Sequence, residues 1–209
     1  MSVYPELDTL TLDALIAYFG HKKPIDGWRY AASFYTEVGL LLARSGQEGA
    51  HFLFAQIERD KKRKIPTSKL RGVLFGLSQL PDAHDATSTI FLLYLHDKRP
   101  LIVADALDCL RHGNIILPLS TLVRYVEATS AYVKGAALRY ISHLYPKLAK
   151  EYLLPALHDA HYIVRENAVD ELAELNDPQF IPYIQPLVQD PHPHVRQAAQ
   201  TTIADLADN

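Results

Sequence analysis

Apolar positions in the second half of the chain recur with helical spacing. Val164, Ala168, Leu172 and Leu175 fall at i, i+4, i+8 and i+11, the stripe of one helix face. Ile181, Ile184 and Val188 make a second stripe shortly after. Between the two lies Asn176-Asp177-Pro178, which reads as a helix end, an N-cap and a proline at the first helical position. The join Gln189-Asp190-Pro191-His192-Pro193 is punctuated in the same way. No run of alternating β-branched residues argues for a strand.

This helix pair repeats. The segment starting at Asp159, with Val164, Arg165 and Ala168, matches the one starting at Asp190, with Val195, Arg196 and Ala199, at a spacing of 31 residues. One step back brings Val133, Lys134 and Ala137 into register, and a second step brings Asp97, Ile102 and Ala106; Ala128 alone breaks the aspartate column. Phe91, Leu122, Leu153 and Ile184 form a column in the second helix of each pair, and Leu95, Val126, Leu157 and Val188 another. The small residue at Ala106, Ala137, Ala168 and Ala199 predicts close helix crossings. Pro155 and Pro186 share a column inside second helices and predict bends there. The front of the chain is more degenerate. Helices are predicted over Thr9 to Phe19, capped by Thr9 or Thr11, over Arg29 to Arg44 and over Glu48 to Asp60. Terminal repeats diverge because one of their faces has no neighbour.

The pattern Asp-x(4)-Val-Arg-x-x-Ala-x(3)-Leu at this spacing resembles the short HEAT repeats of the phycobilisome-lyase type, well over about Asp97 to Leu206 and more loosely before. The resemblance implies an all-α fold, a right-handed α–α superhelix forming one HEAT-like solenoid of about five to six helix-pair repeats. It would span residues 1–209, with 1–65 as a divergent cap and first repeats and 66–209 as the more regular part. In such repeats aspartate and arginine of adjacent units form a ladder, which assigns Asp159, Asp190, Lys134, Arg165 and Arg196 to architecture. Such repeats serve as scaffolds, regulatory subunits and chromophore-lyase subunits, so fold alone does not choose a function.

Composition narrows the choice. Of 209 residues 48% are hydrophobic and 22% charged, which suits a folded chain, and the formal net charge of −3 argues against a protein whose task is gripping phosphate backbones. The single cysteine, Cys109, sits in an apolar run and reads as a small buried hydrophobe. Neither a secretory leader nor an apolar run long enough to span a bilayer is visible, so the expected location is the cytoplasm.

Little in the chain promises catalysis. No GxSxG, GxxxxGK[ST] or GxGxxG motif occurs, and neighbours such as His96-Asp97 and Asp82-His84-Asp85 are more simply helix-start residues. His158, His161, His192 and His194 cluster in equivalent turns, but neither cysteine nor HExxH spacing supports a metal, so no metal or other cofactor is expected. Lys61-Lys62-Arg63-Lys64 reads as a solvated turn before Pro66. The most informative candidates are tyrosines. Tyr94 and Tyr125 share one column, Tyr152 and Tyr183 another, and the two columns are one helical turn apart, so all four fall on one strip of successive second helices with Arg124 and Glu151 beside it. In solenoids resembling HEAT arrays the second helices line the concave side, and tyrosine suits interfaces.

The expectation is a noncatalytic scaffold or adaptor that binds another protein through Tyr94, Arg124, Tyr125, Glu151, Tyr152 and Tyr183. A phycobilin lyase or lyase partner, a HEAT-like nucleic-acid binder and a toxin-neutralising inhibitor stand as alternatives.

Overall fold

The computed structural model describes residues 4–20, 22–23, 31–81 and 84–207, residues 31 and 32 by backbone alone. Arg29 and Asp82, which the sequence placed at helix starts, lie outside that set. All regular structure among the described residues is helical, as the 31-residue pattern requires. The chain divides into two compact units, residues 1–113 and 114–209.

Unit 1 holds a 3₁₀ turn at Pro5–Leu7, then α1 (Leu12–Phe19), α2 (Ala31–Arg44), α3 (Gly46–Lys62), α4 (Thr67–Ser78), α5 (His84–Tyr94) and α6 (Pro100–His112). Thr11 caps α1 by accepting the Ala14 N–H. Gly46, with φ 75°, makes the tight passage from α2 into α3 that a side chain would strain. Helices α2, α4 and α6 pack side by side, α3 lies against α2 and α4, and α5 against α4 and α6. The α2–α4 crossing is a backbone contact. A Cβ at Gly72 would stand 2.1 Å from the Tyr35 carbonyl oxygen, and one at Gly39 1.9 Å from that of Gly72. Aromatic rings fill the α1 side, with Phe34 against Tyr4 and Tyr18 edge to face at 5.3 and 4.9 Å.

Unit 2 holds α7 (Leu119–Val126), α8 (Ala131–Leu144), α9 (Pro146–Ala156), α10 (Tyr162–Glu174), α11 (Ile181–Ile184) and α12 (Pro193–Ala207), with 3₁₀ turns at Pro178–Phe180 and Gln185–Gln189 on either side of α11. The first helices α8, α10 and α12 form one layer. The second helices pack on it: α7 on α8, α9 on α8 and α10, and the α11 segment on α12. The alanine column sits at these crossings, with Ala137, Ala168 and Ala199 all 0% exposed. The Asn176-Asp177-Pro178 punctuation is present: Asn176 has φ 51°, and Asp177 accepts the Gln179 N–H at 2.9 Å with Pro178 at the first helical position.

The proline column acts differently from its expected role. Pro155 lies in the last turn of α9, which ends one residue later, so it terminates the helix instead of bending it. Pro186, with Pro182 before it, breaks the second helix of the last repeat into a single α-turn and a 3₁₀ stretch. Each proline removes one N–H from the ladder, and two in five residues leave the i→i−4 pattern unsustainable.

Candidate functional site

The structure divides the tyrosine strip. Tyr94, the last residue of α5, is 3% exposed, and its hydroxyl donates to Asp60 Oδ2 at 3.0 Å. This ring therefore serves the interior of unit 1 and offers no surface to a partner. Asp60, whose side chain is fully buried, also accepts the Ile65 N–H at 2.9 Å, Arg99 Nη2 at 3.2 Å and Lys64 Nζ at 3.0 Å. Arg99 in turn donates through its backbone N–H and Nε to Asp97 Oδ1, both at 2.8 Å. The hydrogen bonds from Arg99 hold the Asp97 carboxyl down to about 2. Burial would raise the Asp60 carboxyl, but the Ile65 N–H, Lys64 and Arg99 together bring it below its ordinary value. Burial, and then the Asp60 charge, push the Tyr94 hydroxyl far up.

Asp60 escaped the sequence reading because it lies in a charged run, yet a signal was there. Leu53, Ile57 and Asp60 fall at i, i+4 and i+7 on α3, so the helix that buries the two apolar residues carries the carboxylate in with them. The basic run after Asp60 is only partly a turn. Lys61 and Lys62 close α3, where cations meet the negative end of the helix dipole, and Lys64 is bound to Asp60.

The remaining candidates all lie on the second helices of unit 2. On α7, Arg124 is exposed and Tyr125 half-buried; on α9, Glu151 is exposed and Tyr152 half-buried; on α11, Tyr183 is 53% exposed. Arg124 and Glu151 form no ion pair with a described residue. Burial raises the Tyr125 hydroxyl above its ordinary value. The buried column residues Leu122, Leu153 and Ile184 anchor these helices from beneath. Sequence reasoning missed Leu148, which is 37% exposed one turn before Tyr152 on α9, and Pro155 one turn after Glu151, also exposed. The i, i+4 spacing from Tyr152 back to Leu148 was the available clue.

The charge ladder of unit 2 is architectural. Lys134 on α8 donates to Asp159 Oδ2 at 2.7 Å, and Arg165 on α10 grips Asp190 through two bonds of 2.7 and 2.8 Å. Through Oδ1 each aspartate also accepts the N–H two residues on, from His161 and from His192, both at 2.8 Å; on Asp190 that oxygen is shared with Arg165. Arg165 Nη1 also reaches the Asp159 carbonyl, and Arg196 Nη1 the Asp190 carbonyl, each at 2.8 Å. Arg165 thus ties its own entry turn to the next one. The bonds from Arg165 lower the Asp190 carboxyl; at Asp159 the opposing pull of burial is overcome by Lys134 and the His161 N–H.

The turn histidines stack. Tyr162 lies face to face with His192, ring centres 3.5 Å apart, and with His161 at 5.1 Å, while His194 meets both Tyr162 and His192 edge on. His161 Nδ1 accepts the Ile163 N–H and caps α10. No group of three or more His, Cys, Asp or Glu among the described residues is arranged to hold a metal. Cys109 is 6% exposed, its thiol directed at the Leu74 carbonyl and pushed far up by burial, which leaves no thiolate to react. No helix among the described residues is long and apolar enough to cross a membrane.

Two layers of paired helices, stepped by a constant repeat and tied by a recurrent cation–aspartate pair, define the class of helical-repeat proteins. The sequence pattern of the HEAT repeats matches residues 150–209, which contain most of α9 and all of α10 to α12, and this supports a HEAT-repeat protein. No curated protein matches the chain. Among solved structures, the crystal structure of an engineered protein, a structural-genomics target, is similar at 15% identity over 93% of this chain and 95% of that one, with a TM-score of 0.47.

Proposed function

We propose that the protein is a noncatalytic protein-binding scaffold or adaptor, and that its partner docks on the outward side of α7, α9 and α11. The observation that carries this reading is Tyr183, an aromatic ring 53% exposed on a repeat helix whose apolar anchor, Ile184, is fully buried beside it. A ring kept at the surface when the neighbouring position packs the core contributes contact area at low entropic cost. Leu148, Tyr152 and Pro155 extend the apolar surface on α9, and Arg124 and Glu151, without an ion pair among the described residues, supply opposite charges to fix orientation. Repeat proteins bury their core between neighbours and leave such faces free for binding. The finer reading, a repeat of the phycobilisome-lyase type, rests on the Asp-x(4)-Val-Arg pattern alone.

The test pairs binding with stability. Tyr183→Ala and Glu151→Arg should each leave the unfolding free energy within about 0.5 kcal/mol, as exposed positions do. Both should reduce capture of a specific partner from lysate of the source cells. Undiminished capture by both variants would remove this face from consideration.

A further inference from the structure

The C-terminal end of α3 carries charge that the rest of unit 1 leaves unanswered. Five of the six residues from Arg59 to Lys64 are cations, and the one anion among them, Asp60, has a fully buried side chain. Two of the five cations are engaged. Lys61 pairs with Glu58 at 2.6 Å. Lys64 pairs with Asp60 at 3.0 Å and stands 3.6 Å from Asp97, and Arg99 reaches the same two carboxylates, so that network holds two cations and two anions. Arg59, Lys62 and Arg63 are exposed and form no ion pair with a described residue.

The helix gathers these three. Arg59 and Lys62 lie at i and i+3 on α3, and the Arg63 N–H donates to the Arg59 carbonyl at 2.8 Å, which sets the third cation over the same turn. Lys69, in the first turn of α4, adds to the field: after burial, the Arg59 charge is what lowers its ammonium. The negative end of α3 offsets about half an elementary charge, less than the three free cations bring. Like charges one turn apart repel, so the cluster costs stability in the free protein, and an anionic ligand removes that cost.

The extent of the patch selects the anion. From Arg59 to Arg63 it covers about 6 Å of helix axis, which suits a short acidic stretch and not a strand whose charges run on at both ends. The chain as a whole has a formal charge of −3, and none of the large apolar side chains exposed among the described residues lies on α3 or α4. Neither stacked bases nor a bilayer would find an apolar foothold there. Carboxylates on a peptide need only the charges.

We propose that this end of α3 is a docking surface for an acidic segment of a partner protein, whose carboxylates pair with Arg59, Lys62 and Arg63. Lys61 and Lys64, already holding Glu58 and Asp60, contribute little. The surface is separate from the tyrosine face and does not depend on it.

The probe is fluorescein-labelled hexaglutamate, titrated with the full chain at low ionic strength and followed by anisotropy, beside labelled hexalysine and hexathymidylate. Saturable binding of hexaglutamate alone is expected, weakening as salt is raised. The combined variant Arg59→Gln, Lys62→Gln and Arg63→Gln should weaken it roughly tenfold, and Lys61→Gln less than about twofold. The melting temperature of the combined variant should be unchanged or higher, because mutual repulsion is relieved; a lowered one would make these cations structural and overturn their role. Absence of saturable hexaglutamate binding, full binding by the combined variant, or an equal loss from Lys61→Gln would overturn the proposal. Equal or tighter binding of hexathymidylate would assign the surface to nucleic acid and overturn it too.

Discussion

The two units solve the same packing problem with different residues. Unit 2 repeats one small device: an alanine at each crossing, and a cation that reaches the next entry aspartate, at Lys134–Asp159 and again at Arg165–Asp190. Unit 1 concentrates its interactions. Its α2 and α4 touch backbone to backbone through Gly39, Gly72 and Gly76, and one buried carboxylate, Asp60, gathers Tyr94, Arg99, Lys64 and the Ile65 N–H. Repetition spreads stability over equivalent pairs, so each is dispensable. Concentration makes a few residues indispensable, and it turns inward side chains that the repeat pattern alone assigns to the surface. Tyr94 is the case in point: its column partner Tyr125 is half-buried on α7, while Tyr94 is tied to Asp60.

The collective effect of acid is expected to be the largest. Asp60, Asp97, Asp159 and Asp190 are all held below the ordinary carboxylate range, so the unfolded chain binds protons first on acidification. Their contribution is whole above the unfolded value of about 4 and is lost as pH falls through the folded values, about 2 for Asp97. Urea midpoints should therefore fall steadily below about pH 4. An Asp97→Asn variant should show a shallower decline; an identical slope would mean that Asp97 carries none of it.

Among single substitutions, Asp60→Ala should cost the most, about 3–5 kcal/mol, since it leaves Arg99 and the Tyr94 hydroxyl short of their buried acceptor. Lys134→Ala, a rung whose members are 26% and 17% exposed, should cost about 1 kcal/mol or less. Urea denaturation of both variants would break the comparison if the two costs were equal. The crossings sharpen it further. Gly72→Ala places a methyl 2.1 Å from a carbonyl oxygen that cannot move without its helix, and should cost about 3 kcal/mol. Ala168→Leu overpacks a crossing already spaced by a side chain and should cost about 2 kcal/mol. A reversed order would show that the glycine contact tolerates separation.

The sequence made unit 2 legible because its devices recur. The spacing placed α8 to α12 and the alanine column, the resemblance to HEAT repeats implied the cation–aspartate pairs, and the Asn176-Asp177-Pro178 turn could be read residue by residue. It misled at the prolines, since a proline in a short second helix ends it where one in a long helix would bend it. Within unit 1 the pattern slips, and an offset one residue longer than two repeats between Leu70 and Val133 blurs the register. Stepping back from Lys134 reaches Val103, and from Asp159 reaches Ala128, so both members of that pair are lost together. The Asp60 network joins residues scattered from α3 to the start of α6, and the helical spacing that carries Asp60 inward does not name the partners it meets there. The exposed or buried state of a tyrosine likewise depends on which neighbour fills the space beside it, and a column match does not carry that information.

The outward side of α7, α9 and α11 is the face proposed to hold the partner. The most direct measurement is site-specific photo-crosslinking in the source cells, with a benzophenone side chain in place of Tyr183 on one variant and of Glu174, exposed at the end of α10, on another. A discrete protein adduct from position 183 and none from position 174 is the expected result. Absence of an adduct at 183, or the same adducts from both positions, would contradict the claim that this face binds the partner.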